Sequence, residues 1–185
     1  MNGIFRLREP AEHDLERLWR WRNSERVRSA MKSDRPISEE EHRYWFGRLR
    51  SRPDCLFFIF EKGDHPLGIV QFTGVNRTDG TCSWGFYLGE EGLPRGTGTL
   101  LGYLGLSRVF EKEGIRKVTA EVLESNLASY RMHKKLGFHI EGCLRKHVWR
   151  NGKYEDVILL AIFKKDWEEW QSRNGTMTDR EVLLR

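Results

Sequence analysis

Arg95-Gly96-Thr97-Gly98 is the stretch of this sequence best suited to chemistry through its backbone. It stands between a strand-like run that ends at Leu88 and a helix-like run read from Thr99. The first turn of a helix offers N–H groups without partners and a partial positive charge, which suits a phosphate. Glycines let an anion approach the backbone, and Arg95 adds a cation. A plain tight turn would use the same glycines, so both readings stand on this stretch alone. Two phosphate loops are excluded. No Gly-Lys-Ser/Thr follows, and the third glycine of a dinucleotide fingerprint would fall at Leu101, after strands that read as antiparallel.

Metal chemistry finds no support. His13, His42, His65, His133, His139 and His147 show no HxH or HExxH spacing, and no metal is expected. Cys55, Cys82 and Cys143 are far apart and odd in number, which gives neither a CxxC pair nor a disulfide framework.

The elements that must position these residues follow from periodicity. Ile4 to Arg8 alternates as a strand, and Ala11 to Trp21 carries Leu15, Leu18 and Trp19 at helical spacing. A loose stretch reaches Ile37. Ser38 then opens a capping box for a helix to about Arg50. Cys55 to Glu61, Leu67 to Val75 and Thr81 to Leu88 read as an antiparallel meander. After the glycine loop come a helix over 99–113, a strand from Ile115 to Leu123, and a short helix capped at Ser125-Asn126 and closed by Gly137. Phe138 to Trp149 and Tyr154 to Phe163 flank Asn151-Gly152, a hairpin signal. Lys164 to Gln171 reads as a last helix. The expected fold class is α/β (or α+β), one layered domain over 1–170 around a mixed sheet, with a polar, loose tail over 171–185.

The chain has 185 residues, 38% hydrophobic and 32% charged, and no apolar run long enough to span a bilayer. The N-terminus lacks an apolar signal core, so a cytoplasmic protein without membrane association is expected. The net charge of +5 favours anionic partners, although both signs are mixed along most of the chain.

Val122-Leu123-Glu124-Ser125-Asn126, Ser129 and Lys134-Lys135-Leu136-Gly137-Phe138 fall one strand after the glycine-rich helix. With these motifs at that separation, the sequence resembles the GNAT acetyltransferase superfamily over residues 4 to about 167. That resemblance implies a mixed, mainly antiparallel sheet of about seven strands with helices on both faces. It also implies acetyl-CoA as acetyl donor. The pyrophosphate is expected on Arg95, Gly96, Thr97, Gly98 and Thr99. The pantetheine is expected along Phe86, Tyr87 and Leu88 as an added strand, between two central strands that splay, with Asn126 and Ser129 beside it. Two positions depart from the family pattern. Leu93 stands where the loop motif has Arg or Gln, with Arg95 two residues on. His133 stands at the family's catalytic Tyr position, four residues before Gly137, with Tyr130 a turn earlier.

Acetyl transfer from a thioester needs a neutral amine, a donor for the oxyanion and a proton for the leaving thiolate. Alternation puts Thr119, Glu121 and Leu123 on one strand face, and Glu121 is expected to take the amine's proton; an ion-paired surface Glu is the alternative. His133 is expected to protonate the thiolate, since an imidazolium can donate near neutral pH, unless it is only a surface helical His.

The N-terminal third also resembles the nucleotide-sugar N-acetyltransferases of pseudaminic acid biosynthesis. The likeness rests on Trp21-Arg22-Asn23, Val27-Arg28, Met31, Ile37-Ser38, His42 and Trp45-Phe46, and it continues with Ile69 to Thr73, Trp84 to Tyr87, Glu141-Gly142 and Gly152 to Asp156. By that resemblance the acceptor is the 4-amino group of a UDP-linked amino-dideoxy sugar, with Trp21, Arg22, Arg28, Met31, His42, Thr73 and Tyr87 around it. Base stacking on an aromatic or Met face and diphosphate pairing with Arg fit these types, and Trp21 reads equally well as core. Arg17, Arg20, Arg22, Arg26, Arg28, Lys32 and Arg35 argue against a cationic acceptor such as a polyamine or aminoglycoside. The α-amine of a ribosomal protein is the runner-up. A nucleic-acid binder would explain the charge, but no nucleic-acid motif appears, and no nucleic-acid partner is expected. A non-catalytic acyl-CoA sensor would fit the missing Tyr. The expected assembly is a monomer or homodimer.

Overall fold

The structure, a computed structural model, describes residues 3–49 and 51–175. The elements are β1 (Phe5–Arg8), a 3-10 turn (Glu12–Asp14), α1 (Leu15–Asn23), α2 (Glu25–Arg28), α3 (Glu39–Leu49), β2 (Cys55–Lys62), β3 (His65–Asn76), β4 (Thr81–Leu88), α4 (Thr97–Lys112), β5 (Lys117–Leu123), α5 (Leu127–Lys135), β6 (His139–Arg150), β7 (Lys153–Phe163) and α6 (Lys164–Asn174). All seven strands join one sheet in the order β1-β2-β3-β4-β5-β7-β6. Every neighbouring pair is antiparallel except β4 and β5, which are parallel. The expected mixed, mainly antiparallel α/β fold is the one observed.

Strand alternation divides the interior in two. Phe58, Phe60, Val70, Phe72, Trp84, Val118 and Val122 face one way and pack with Leu101, Leu106 and Phe110 of α4, Leu136 and Trp167. Phe57, Ile59 and Ile69 face the other way and pack with Leu18 and Trp21 of α1 and Phe46 and Leu49 of α3. Helices therefore cover both faces, because each strand's two side-chain rows both carry apolar residues. Each fully buried Phe or Leu in these layers contributes about 1.5–3 kcal/mol.

An ion network fixes α1 to the sheet. Glu61 accepts from Arg6 Nε and Arg8 Nε, both at 2.6 Å, and Arg8 also grips Asp14 through both guanidinium ends at 2.6 and 2.8 Å. Burial pushes the Asp14 carboxyl up, but Arg8 and the Ala11 N–H outweigh it and hold the carboxyl below its ordinary range.

Several boundaries differ from the sequence reading. The helix read from Thr99 begins at Thr97, because Gly96 at φ +94° ends the loop in a conformation only glycine takes cheaply. Gly98 thus lies inside the first turn. A short helix, α2, forms in the stretch read as loose, capped by Ser24 and anchored by buried Val27. The strand read from Ile115 begins at Lys117, since the N–H groups of Arg116 and Lys117 both bind the Gly80 carbonyl. The last helix continues past Gln171 to Asn174, whose side chain donates to the Trp170 carbonyl. The loose tail therefore does not begin at 171; its portion over 176–185, and the α3 boundary at Arg50, lie outside the described residues.

Candidate active site

The parallel pair β4 and β5 comes apart partway. Ladder partners run from Thr81–Lys117 to Ser83–Thr119 and then stop, although β4 continues to Leu88 and β5 to Leu123. At the last pair Ser83 Oγ and Thr119 Oγ1 are 2.7 Å apart. Beneath the split lie Trp84, Phe86, His133 and Phe138, with ring centroids 4.9–5.5 Å from one another where they touch. Past Ser83, the backbone edge of β4 that faces β5 has no ladder partner. An extended chain can add to such an edge as a strand would. Phe86, Tyr87 and Leu88 are the β4 residues along it.

The N-terminus of α4 opens near the same place. Thr97 N–H and Oγ–H both donate to the Pro94 carbonyl, at 3.2 and 2.8 Å. Thr97 and Thr99 side chains are buried, so an anion can meet these residues only through their backbone. A Cβ built at Gly98 would meet only Leu88 Cδ1, at 3.8 Å, which leaves the surface over the first turn open. Arg95 is exposed beside it. On α5, Asn126 acts as N-cap, its Oδ1 accepting from the Ser129 N–H at 3.1 Å.

A cavity of about 210 Å³ lies on the sheet face covered by α1 and α3. Its floor is Phe57, Ile69, Gln71, Gly85 and Tyr87, and its roof is Arg22, Met31, Ile37, His42 and Trp45. None of these described residues is acidic. The Arg22 guanidinium donates through Nη2 to the Ser33 carbonyl at 3.2 Å, while its buried Nη1 has no partner. Burial lowers the Arg22 pKa, Tyr87 and the Glu41 carboxylate oppose that, and the Arg28 and Arg35 charges add to it. His42 is 4% exposed and its Nε2 also lacks a partner. Burial pushes the His42 pKa down, a hydrogen bond to the Leu15 backbone pulls it up, and the Arg22 charge pushes it down further. A neutral imidazole and an incompletely bonded guanidinium thus share one apolar-walled cavity. Burial raises the Tyr87 hydroxyl pKa.

Three expected acceptor residues lie elsewhere. Trp21 is 6% exposed, packs in the second core, and gives its Nε1–H to Glu90 at 3.1 Å. It faces α3 and the sheet because α1 must bury its apolar stripe there. Arg28 is spent on backbone, donating to the Asn23 and Asp34 carbonyls at 3.0 and 2.8 Å, and so staples the α2–α3 loop. Thr73 shares the cavity's sheet face, but its register partner is Ser83, at the foot of the split. Gln71, Ile37 and Trp45 line the cavity but are not among the expected acceptor residues. Gly85 carried the signal: a glycine inside a strand marks a close approach, and Gln71 is its register partner.

Glu121 and His133 lie on opposite faces of the sheet. Glu121 is the first residue after Thr119 on the cavity's face of β5, and its Oε2 accepts from Lys32 Nζ at 2.7 Å. The expectation of His133 as general acid does not fit. The ring is 2% exposed, Trp84 Nε1–H donates to its Nε2 at 3.1 Å, and its Nδ1 is 2.8 Å from the Ser129 carbonyl. Burial drives its pKa down to about 4, against a weaker opposing pull from the Ser129 backbone. Nor is it a surface residue. Tyr130 is half-buried against the main core.

Residues 5–139 match the profile of the acetyltransferase (GNAT) domain. Over 124 residues the chain is 33% identical to a probable N-acetyltransferase of Bacillus subtilis, YjcK, covering 66% of this chain and 68% of that one. It is 24% identical to the acetyltransferase PseH of Campylobacter jejuni over 69% of this chain and 78% of PseH. The crystal structure of spermidine N-acetyltransferase from Vibrio cholerae, in complex with CoA and spermine, superposes with a TM-score of 0.84. It covers 89% of this chain and 98% of that one at 19% identity, a likeness of fold.

Proposed function

The chain belongs to the acetyltransferase (GNAT) family and acetylates an amine from acetyl-CoA; from that premise we propose that the amine is carried on an anionic small molecule, specifically a UDP-linked amino-dideoxy sugar. One observation carries this reading: the cavity beside the split holds the unsatisfied Nη1 of Arg22 and no carboxylate among its lining residues. A polyamine would bring further positive charges against that guanidinium. Each such charge at about 4 Å would cost about 4 kcal/mol at an effective dielectric of 20. A phosphate or a uracil carbonyl satisfies Arg22 instead, and the wall of Met31, Trp45 and Tyr87 suits a planar ring. The cavity is below the roughly 300–1,000 Å³ that encloses a drug-sized ligand, so it takes one ring of the acceptor and leaves the rest at its mouth. The distant likeness to PseH points the same way.

The single domain, through the end of α6 at Asn174, acts as one unit in this reading. The first-turn N–H groups of α4, with Arg95, hold the donor's pyrophosphate. Phe86, Tyr87 and Leu88 present the β4 edge to the pantetheine, with Asn126 and Ser129 on the opposite side. A β4 backbone N–H at the split donates to the thioester oxygen as it gains charge. Glu121 takes the proton of the attacking ammonium. The thiolate leaves without help from His133.

A thiol-release assay across UDP-amino-sugars, polyamines and N-terminal peptides tests the assignment. The expected result is the highest kcat/KM for the UDP-amino-sugar. A polyamine or a peptide turned over faster would overturn it.

A further inference from the structure

Lys32 lies on the segment between α2 and α3, one residue after Met31 of the cavity wall. Its backbone is pinned on both sides. Arg150, 4% exposed at the tip of the β6–β7 hairpin, donates to the Ser29 carbonyl at 2.9 Å. Arg22 binds the Ser33 carbonyl at 3.2 Å and Arg28 the Asp34 carbonyl at 2.8 Å. These contacts hold a strap that crosses from the α1–α3 layer to β5. The strap delivers the Lys32 ammonium to Glu121 at 2.7 Å, beside the level where β4 and β5 stop pairing. A primary amine is thus held on the carboxylate that receives the acceptor's proton in the reading above.

We infer that Lys32 is an internal acceptor, acetylated by its own active site when no external amine is bound. The proposal rests on Glu121 as proton acceptor and extends it. Glu121 takes one proton from the Lys32 ammonium. The neutral Nζ attacks the acetyl-CoA carbonyl carbon, the C–N bond forms, and the C–S bond breaks. As the C–S bond breaks, the nitrogen gives up its second proton, which passes through water to the leaving CoA thiolate, so the products are Nε-acetyl-Lys32, CoA thiol and Glu121 carrying the first proton. Holding the amine on a pinned segment replaces a bimolecular encounter with an intramolecular one, which favours the step over random acetylation of surface lysines. Acetylation removes the charge of Lys32, so it also dissolves the ion pair and leaves Glu121 free for an external ammonium. That external ammonium competes for the same carboxylate.

The test incubates the purified full-length chain with acetyl-CoA alone, followed by intact-mass and peptide mass spectrometry. Exposed Lys165 serves as the uncatalysed reference. The expected result is gain of one acetyl group at Lys32, first order and independent of protein concentration. Lys32→Arg should abolish it, and Glu121→Gln should slow it by ~10²-fold, the scale of general-base loss. Modification of Lys32 no faster than Lys165 overturns the inference, as does an unchanged rate in Glu121→Gln. Turnover of an external amine separates the two readings. If Glu121→Gln impairs that turnover while wild-type Lys32 stays unmodified, only the internal-acceptor inference falls. If Glu121→Gln turns over external amine at the wild-type rate, the proton-acceptor reading falls with it.

Discussion

The Trp84 indole N–H donates to His133 Nε2 at 3.1 Å, which fixes the tautomer of a buried imidazole. Indole can only donate, so Nε2 must keep its lone pair. The ring proton therefore sits on Nδ1 and is donated to the Ser129 carbonyl at 2.8 Å. Both ring nitrogens are engaged, and Phe86 and Phe138 close over the ring at centroid distances of 5.5 and 4.9 Å.

Stability should therefore fall in mild acid. The His133 pKa is about 4 when folded and about 6.5 when unfolded, so the unfolded chain binds the extra proton between those values. The contribution of the neutral ring is complete above about pH 6.5 and is lost as pH drops toward 4, by up to roughly 3 kcal/mol. His42, also lowered, adds to the loss in the same direction. Urea midpoints at pH 7.5, 6 and 5 measure this, and a flat series would contradict it.

His133→Phe should leave the Trp84 N–H buried without an acceptor and cost about 1–3 kcal/mol of stability. The pH profile of kcat should stay that of the wild type, because the residue carries no proton to the thiolate. An alkaline limb that moves in this variant would restore the general-acid role.

Gly98→Ala should fold and bind CoA normally, since its Cβ meets nothing closer than 3.8 Å. Gly98→Trp should also fold but lose CoA affinity, because the indole fills the space over the first turn of α4. Isothermal titration of CoA into both variants checks the pair of outcomes.

Arg22→Gln and His42→Ala should each raise the acceptor KM by ~10-fold or more, the effect of losing one charged or buried hydrogen bond, with the acetyl-CoA KM nearly unchanged. Equal losses for both substrates would mean the cavity is not the acceptor's.

Gly89→Ala should destabilise the fold by about 1–3 kcal/mol through overpacking. A Cβ there would lie 1.9 Å from Trp21 Cδ2, and the indole it would displace also bonds Glu90. A thermal melt reads the loss directly.

Much of the fold was legible in the residues. The β4 strand was read to its limits, Thr81 and Leu88, because apolar side chains repeat there with period two. The hairpin followed from Asn151-Gly152, where both residues take positive φ. The cap at Asn126 and the glycine at 137 marked the ends of α5, because local hydrogen bonds and φ preferences act between near neighbours. The glycine-rich approach to α4 was legible for the same reason, although the helix starts at Thr97 and not at Thr99. Which side chain reaches which space was not, since that depends on residues far apart in sequence. Trp21 and Arg22 are adjacent, yet one faces the core and the other lines the cavity, because α1 turns them about 100° apart. His133 stands at a catalytic position by spacing alone. Trp84, 49 residues earlier, makes it a neutral core residue by taking its Nε2 and helping to exclude water. Lys32 counted only as one more positive charge of the N-terminal third, because its contact with Glu121 spans 89 residues and depends on the Arg150 that pins the strap between them.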